Sequence, residues 1–448
     1  MRKQYTLLFI VVSLSINALG QTKQDLKKVF VNAEFSILYE EYREALPLFL
    51  ELYNSGRKDA NINHRLGMCY LNIPNQKDKA VKHLEEAIKD ISTTYKPGYY
   101  TESKAPVESF YYLGIAYRVT NRLEDAIDAF NKYKQYLNPN DIENFTRVEA
   151  QLKACYNAIE LLRVPTNLIE TNLGKNINSE YPNTHPLVSE DEETIVFLSE
   201  LRFYDGIFFA KKRGGRWLPA RNISLEFNSE GPLKPVFLSR DGLTLFLQRN
   251  DNDDLNLYTS TYTEGVWSAV QKLNSNVNST SAETNACTSY DGKTLYFTSN
   301  RPGGFGGFDI YKSELDATGN WAPASNLGSI INSAFDETTP FITEDGKTLY
   351  FSSEGHFNIG GFDIFTSKKT GDQWSTPENL GYPFNTTDDD IFFFPLKNGD
   401  LAYYSKFKPT GVGENDIYRI QIISREDMEE REEEILEGKF VEDSLIEE

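Results

Sequence analysis

The chain has 448 residues, with 46 Lys and Arg against 66 Asp and Glu, a formal net charge of −20, and 40% hydrophobic residues. That length holds more than one folded unit, and the acidic balance makes nucleic acid and anionic lipid poor partners. Cys69, Cys155 and Cys287 are too few and too scattered for a disulfide scaffold, and Cys69 falls in a helical apolar pattern as a buried thiol.

Residues 1–20 carry Arg2 and Lys3, an apolar stretch from Leu7 to Ile16, and Ala18-Leu19-Gly20 before Gln21. This is the layout of a cleaved export leader with a small-x-small site, and its apolar stretch is shorter than the ~20 residues that span a bilayer. No cysteine follows the site, which argues against a lipid anchor, and no later run is apolar enough for a membrane helix. The expectation is an exported protein, periplasmic or associated with the outer membrane through other proteins, carrying about −22 once Arg2 and Lys3 are removed.

From Asp25 to about Arg163 the apolar period shifts toward 3.6, which predicts helices. Leu66-Gly67-x-x-Tyr70 is followed by Ala80, Leu84 and Ala87; Phe110 and Leu113-Gly114-x-x-Tyr117 are followed by Ala126 and Phe130; Ala33, Ala45 and Phe49 form a weaker first copy. These residues resemble tetratricopeptide repeats, with Ser92–Tyr100 inserted between copies two and three and a capping helix over 140–162. The resemblance implies that a concave face grips a peptide segment. On it would stand Asn61, His64, Asn72, Glu108, Tyr111 and Arg118.

Between Leu173 and Gln421 one pattern recurs five times, most clearly as DGKTLYFTSNRPGGFGGFDIYKSE from Asp291 and DGKTLYFSSEGHFNIGGFDIFTSK from Asp345. Asparagines at 178, 228, 278, 332 and 385, tryptophans at 217, 267, 321 and 374, and Asp-Gly or Asn-Gly at 241, 291, 345 and 398 keep one period of 50 to 54 residues. The first copy has Glu192-Glu193 in place of Asp-Gly. Roughly four strands fit each copy, which is the size of a propeller blade. The fifth copy lacks its last strand, and Asn167–Thr171 precedes the first copy unpartnered, so this early strand is expected to close the ring. The count is five blades, or six if a degenerate blade hides in residues 140–172. The motif resembles the WD40-like β-propeller repeat of envelope proteins; copies one and two lack its double glycine.

No convergent catalytic constellation is legible, and the chain is expected to be no enzyme, with no cofactor and no metal. The four histidines, His64, His83, His185 and His356, lack metal-ligand spacing. Ser-x-Asp-Gly at 239–242 and 289–292 falls short of the sialidase Asp-box. Asp251–Asp254 departs from the EF-hand loop at Leu255. The glycines from Gly303 to Gly307 lack the helix and Lys-Ser ending of a phosphate loop and read as a wide hairpin.

Residues 424–448 hold twelve acids against Arg425, Arg431 and Lys439, a solvated helix or disordered tail. The predicted architecture is therefore α + β multidomain: leader 1–20, an all-α tetratricopeptide-like superhelix over 21–163, an all-β propeller over 164–423, and the tail. This order is similar to PorE-type envelope proteins of Bacteroidetes, of the type IX secretion and gliding machinery, without their C-terminal regulatory-like and OmpA-like domains. The resemblance implies an envelope scaffold with protein partners; the alternative is a ligand- or carbohydrate-binding propeller.

Overall fold

The computed structural model describes residues 25–252 and 254–423. The leader and the acidic tail lie outside them. Among the described residues no helix is long and apolar enough to cross a membrane. Two compact units meet in sequence between Tyr156 and Asn157, inside the last helix.

The first unit contains helices α1 (25–38), α2 (Tyr42–Asn54), α3 (Ala60–Leu71), α4 (Asp78–Ala87), α5 (Ser109–Val119), α6 (Leu123–Lys134) and α7 (Ile142–Leu161). Asp59 caps α3, its carboxylate accepting from Ile62 N at 3.0 Å. The small residues do the work their spacing predicts. A Cβ on Gly67 would overlap the Leu84 side chain of the paired helix, and one on Gly114 would overlap Phe130. Ala33, Ala45, Phe49, Ala80 and Ala126 are all fully buried in the same seams.

The second unit is a five-blade propeller. Blade 1 runs outward through Asn183–Val188, Thr194–Glu200, Asp205–Arg213 and Arg216–Trp217. Blades 2, 3 and 4 repeat it from innermost strands Leu233–Leu238, Glu283–Thr288 and Glu337–Ile342. Blade 5 takes Phe394–Leu396, Leu401–Lys406 and Asp416–Ile422 from the chain's end and Leu168–Asn172 from before blade 1, with Tyr418 opposite Asn172 and Ile422 opposite Leu168. The ring closes as the unpartnered strand predicts, and no sixth blade is present among the described residues because residues 142–161 are helical. Trp217, Trp267 and Trp374 each lie in the short outermost hairpin, opposite Lys212, Tyr262 and Lys369.

The periodic asparagine is a clip between blades. Asn332 accepts from Ile310 N at 2.7 Å and donates through Nδ2 to Ile310 O at 3.1 Å and Asn326 Oδ1 at 2.9 Å. It thereby ties the third strand of blade 3 to the segment entering blade 4. Asn385 repeats this on Ile364 and Asn379, Asn178 on Ile417 and Asn172, and Asn278 on Leu257. Asn228 is the exception: exposed and left-handed at φ 47°, it yields its place to Ser224, whose hydroxyl accepts from Ile207 N at 2.9 Å.

Glu192, the departure from Asp-Gly in the first copy, seals the closure. Its backbone takes the left-handed conformation (φ 57°) that glycine takes at 242, 292 and 346, and its carboxylate accepts from Tyr403 and from Arg419 Nε at 2.8 Å, both in blade 5. Burial alone would raise the pKa of this acid; the hydrogen bonds from Arg419 and Tyr403 and the charges of Arg419 and Lys212 outweigh it and bring it down to about 2. A depressed carboxyl contributes stability that is present above its unfolded value near 4.5 and lost as pH falls toward 2. Glu192→Gln should therefore lower unfolding free energy by roughly 1 kcal/mol at neutral pH, after allowance for solvent screening. The difference from the parent should vanish in acid, as read by denaturant unfolding across pH.

Candidate functional site

The innermost strands of the five blades converge on the propeller axis, and in blades 1 to 4 their ladders break. Register shifts fall between Thr184 and Leu187, Phe246 and Leu247, Glu283 and Ala286, and Thr338 and Phe341. His185 and Thr339, inside two of these bulges, and Phe392, just before the innermost strand of blade 5, take left-handed backbone at φ 53°, 45° and 61°. For β-branched Thr339 this conformation is especially costly, and such strain gathers at binding sites.

Above the bulges, on the face bearing the glycine-rich loops, opens a funnel of about 300 Å3. Gln248, Thr284, Asn285, Asp336, Thr338 and Thr339 supply its polar wall, and Phe308, Phe362, Ile391 and Phe392 its apolar one. Asn285 Nδ2 donates to Thr338 Oγ1 at 2.7 Å, fixing the amide across the seam of blades 3 and 4. Below lies a narrow throat with free space of only about 30 Å3, walled by Pro186, Pro235 and Pro340 and by Phe237, Phe341 and Phe394, whose rings lie 5.0 to 6.4 Å apart. Arg240 spans the far end: Nη1 donates to Glu190 at 2.5 Å, Nη2 to Ile342 O at 2.8 Å, and the guanidinium stands over Tyr290 and Phe341.

Its electrostatics are one-sided. Neither lysine nor arginine is among the residues lining funnel or throat, while Asp336 contributes a carboxylate. His185, packed at a tilt of 40° against Phe392, is held neutral: burial, then the Lys234 charge, push its imidazole down to about 3. An anionic ligand would enter without a counter-charge.

The double glycine belongs to the scaffold of this funnel. Phe308 N donates to Asp336 Oδ1 at 2.7 Å and Glu337 N to Phe308 O at 2.7 Å; Phe362 repeats both bonds with Asp389 and Asp390. A Cβ on Gly306 would overlap Phe335 O, and one on Gly307 the Asp336 carboxylate; Gly360 and Gly361 meet Asp388 O and the Asp389 carboxylate likewise. The loop lies so close to the next blade that only glycine fits.

Beside each such loop sits a buried acid that the sequence reading did not single out. Glu283 is paired with Arg301 at 3.0 Å. Glu337, its equivalent, accepts from Ser333 Oγ at 2.6 Å and Ser353 Oγ at 2.7 Å, and in place of the arginine stands Gly355, followed by His356, whose Nε2 meets Ile331 O at 2.9 Å. Burial pushes Glu337 up to about 7 against those hydroxyls, and Asp309 adds to the rise. The Ser-x-x-x-Glu spacing at 279–283 and 333–337 was the available signal.

The residues expected to form a concave docking face are not brought together on a surface. Asn61, His64 and Arg118 are buried, whereas Asn72 and Glu108 are exposed and Tyr111 is half-buried. The insert 92–104 covers Asn61; Ser109 Oγ pairs with His64 Nδ1 at 2.9 Å; Arg118 lies where its charge reaches Cys155 of α7. Those three are interior residues of the helical unit.

No family model matches the sequence, and no curated protein matches it. Among solved structures the chain is similar to TolB from Acinetobacter baumannii (18% identity, 56% of this chain and 56% of that one, TM-score 0.38). It is also similar to an α-L-arabinofuranosidase from Podospora anserina in complex with cellotriose (12%, 58% and 98%, TM-score 0.38) and to a thermostable family-43 glycoside hydrolase (13%, 59% and 94%, TM-score 0.38). The match spans just over half of the TolB chain. At these identities the likeness speaks to the propeller fold alone. It does correct one expectation, that the chain is no enzyme: glycoside hydrolases are among the similar propellers, and the fold does not exclude enzyme activity.

The raised acid sets a pH signature. Unfolded chains release the Glu337 proton from about pH 4.5 upward while the folded chain keeps it to about 7, so stability falls across this window as pH rises. Glu337→Gln should abolish that fall, making the variant more stable than the parent at about pH 8 by on the order of 2 kcal/mol, with no advantage near pH 4, in denaturant titrations.

Proposed function

We propose that this chain is an exported cell-envelope binding protein whose propeller holds a neutral, polyhydroxylated ligand, a carbohydrate, in the axial funnel, while its helical unit docks a protein partner. The observation that carries the reading is the lining of the funnel itself. Aromatic walls suit the apolar faces of a sugar ring, the amides and hydroxyls of Gln248, Asn285 and Thr338 suit its hydroxyls, and the absence of a lining cation disfavours anions. Export and a periplasmic or outer-membrane-associated location are supported by the leader at 1–20. The tetratricopeptide-like pattern around Gly67 and Gly114, followed by the WD40-like repeats, supports a place in a type IX secretion or gliding-type machine, with envelope proteins rather than nucleic acid as partners.

The test is calorimetric titration of the mature full-length chain with a panel of neutral oligosaccharides and their uronic-acid counterparts. A neutral sugar should bind at least about tenfold more tightly than its acidic counterpart, and Phe362→Ala or Asn285→Ala should weaken it by about tenfold or more, near 1.4 kcal/mol, with thermal stability retained. A panel without a neutral binder, or binding untouched by both substitutions, overturns the reading.

A further inference from the structure

Between Lys211 and Arg221 blade 1 carries five cations, Lys211, Lys212, Arg213, Arg216 and Arg221, and no acid, in a chain whose net charge is −20. Gly214 and Gly215, at φ 59° and 77°, make the two-residue turn that sets Arg213 opposite Arg216 as a cross-strand pair. Both arginines are exposed, and among the described residues neither has a carboxylate within ion-pair distance. Like charges directly opposite one another on paired strands are destabilising. The fold does not ask for them: the same two positions hold Thr263 and Val266 in blade 2, and Thr370 and Gln373 in blade 4.

The acids nearby are engaged elsewhere. Glu192 accepts from Tyr403 and Arg419, Asp191 from Ser189, and Glu226 from Arg221 and Trp267 N, while the charge of exposed Glu193 reaches Lys212. Another cation joins the rim from the segment entering blade 1. Asn176 Nδ2 donates to Trp217 O and Ala220 N to Asn176 O, both at 2.9 Å, which sets the exposed Lys175 beside the same hairpin.

The neighbour of this rim across the closure seam is blade 5. One bond recurs in every blade and fixes equivalent positions: Lys212 N donates to Glu193 O in blade 1, and Ile422 N to Asp400 O in blade 5, each at 2.9 Å. Ile423 is therefore the counterpart of Arg213, on the same rim of the adjoining blade. A single carboxylate bridges the two third strands, Glu192 accepting from Arg419 Nε at 2.8 Å with Lys212 Nζ at 4.0 Å. Shortly after Ile423 the sequence places seven acids between Glu426 and Glu434 against one cation, Arg431. Residues 424–434 span at most roughly 36 Å when extended, ample to cross a seam that one carboxylate bridges.

We propose that the rim formed by Lys175, Lys212, Arg213 and Arg216 is a docking surface for a strongly acidic polypeptide segment, and that its occupant is residues 424–434 of the same chain. That segment supplies the carboxylates the paired arginines lack, and guanidinium forks suit carboxylates. Each exposed pair contributes little alone, so the contact depends on several charges acting together and on a tether that gives a local concentration on the order of millimolar.

The test treats the mature full-length chain with a zero-length carbodiimide, which joins lysine amines to carboxylates, and reads the monomer fraction by mass spectrometry. At about 20 mM salt Lys175, Lys211 or Lys212 should be joined to acids of 426–434, and at about 0.5 M salt the yield should fall at least about fivefold. Arg213→Thr combined with Arg216→Gln, the pair that blade 4 already uses, should keep the parent's thermal stability and lower the yield by at least about fivefold. A parent without such links, or links that survive both high salt and the double substitution, overturns the proposal. Links confined to a dimer fraction also overturn it, giving the segment to a second copy. So does retention on phosphatidylglycerol vesicles by the parent and not the double variant, with no link to 426–434, which assigns the rim to an anionic membrane.

Discussion

Each propeller blade packs apolar side chains against the next in one continuous core, and a primary amide fixes the place of that contact. Asn178, Asn278, Asn332 and Asn385 each satisfy both backbone groups of one residue in a third strand while anchoring the connection to the following blade. All four are buried, where an amide is retained only if its donors and acceptors are matched. The clip sets how near the blades approach, and that nearness in turn demands the glycines at 306, 307, 360 and 361 and determines how wide the axial funnel can be.

This dependence explains why the architecture was legible. A contact made once per blade forces the same residue to recur, so the asparagine, tryptophan and Asp-Gly periods all report one structural unit, and the strand left over before the first copy had a single vacancy to fill. The helical unit was legible for a related reason: Gly67 and Gly114 stand where Leu84 and Phe130 leave no room for a side chain, and the spacing to those partners is short in sequence.

What was hidden depends on distance along the chain. Glu192 looked like a degenerate turn because its partners Tyr403 and Arg419 lie more than 200 residues away. The glycine loops looked like wide hairpins because the carbonyls that crowd them belong to the next blade. The burial of Asn61 was hidden because a helical pattern places it on a surface without showing that a segment 41 residues later lies on top of it. The funnel's polar wall is drawn singly from several blades, and no motif could announce it.

Ring closure by Leu168–Asn172 has a consequence for biogenesis. That strand emerges first among the propeller's strands, yet Asn172 finds Asp416 only 244 positions later. Throughout synthesis an open β-edge waits for its mate, a state prone to mispairing with other chains and slow to resolve because the contact is so non-local. The last residues of the propeller therefore act as its latch. A chain truncated before Asp416 would lack one strand and also leave both rims of the ring unsealed at once, a stickier species than the missing length alone would suggest.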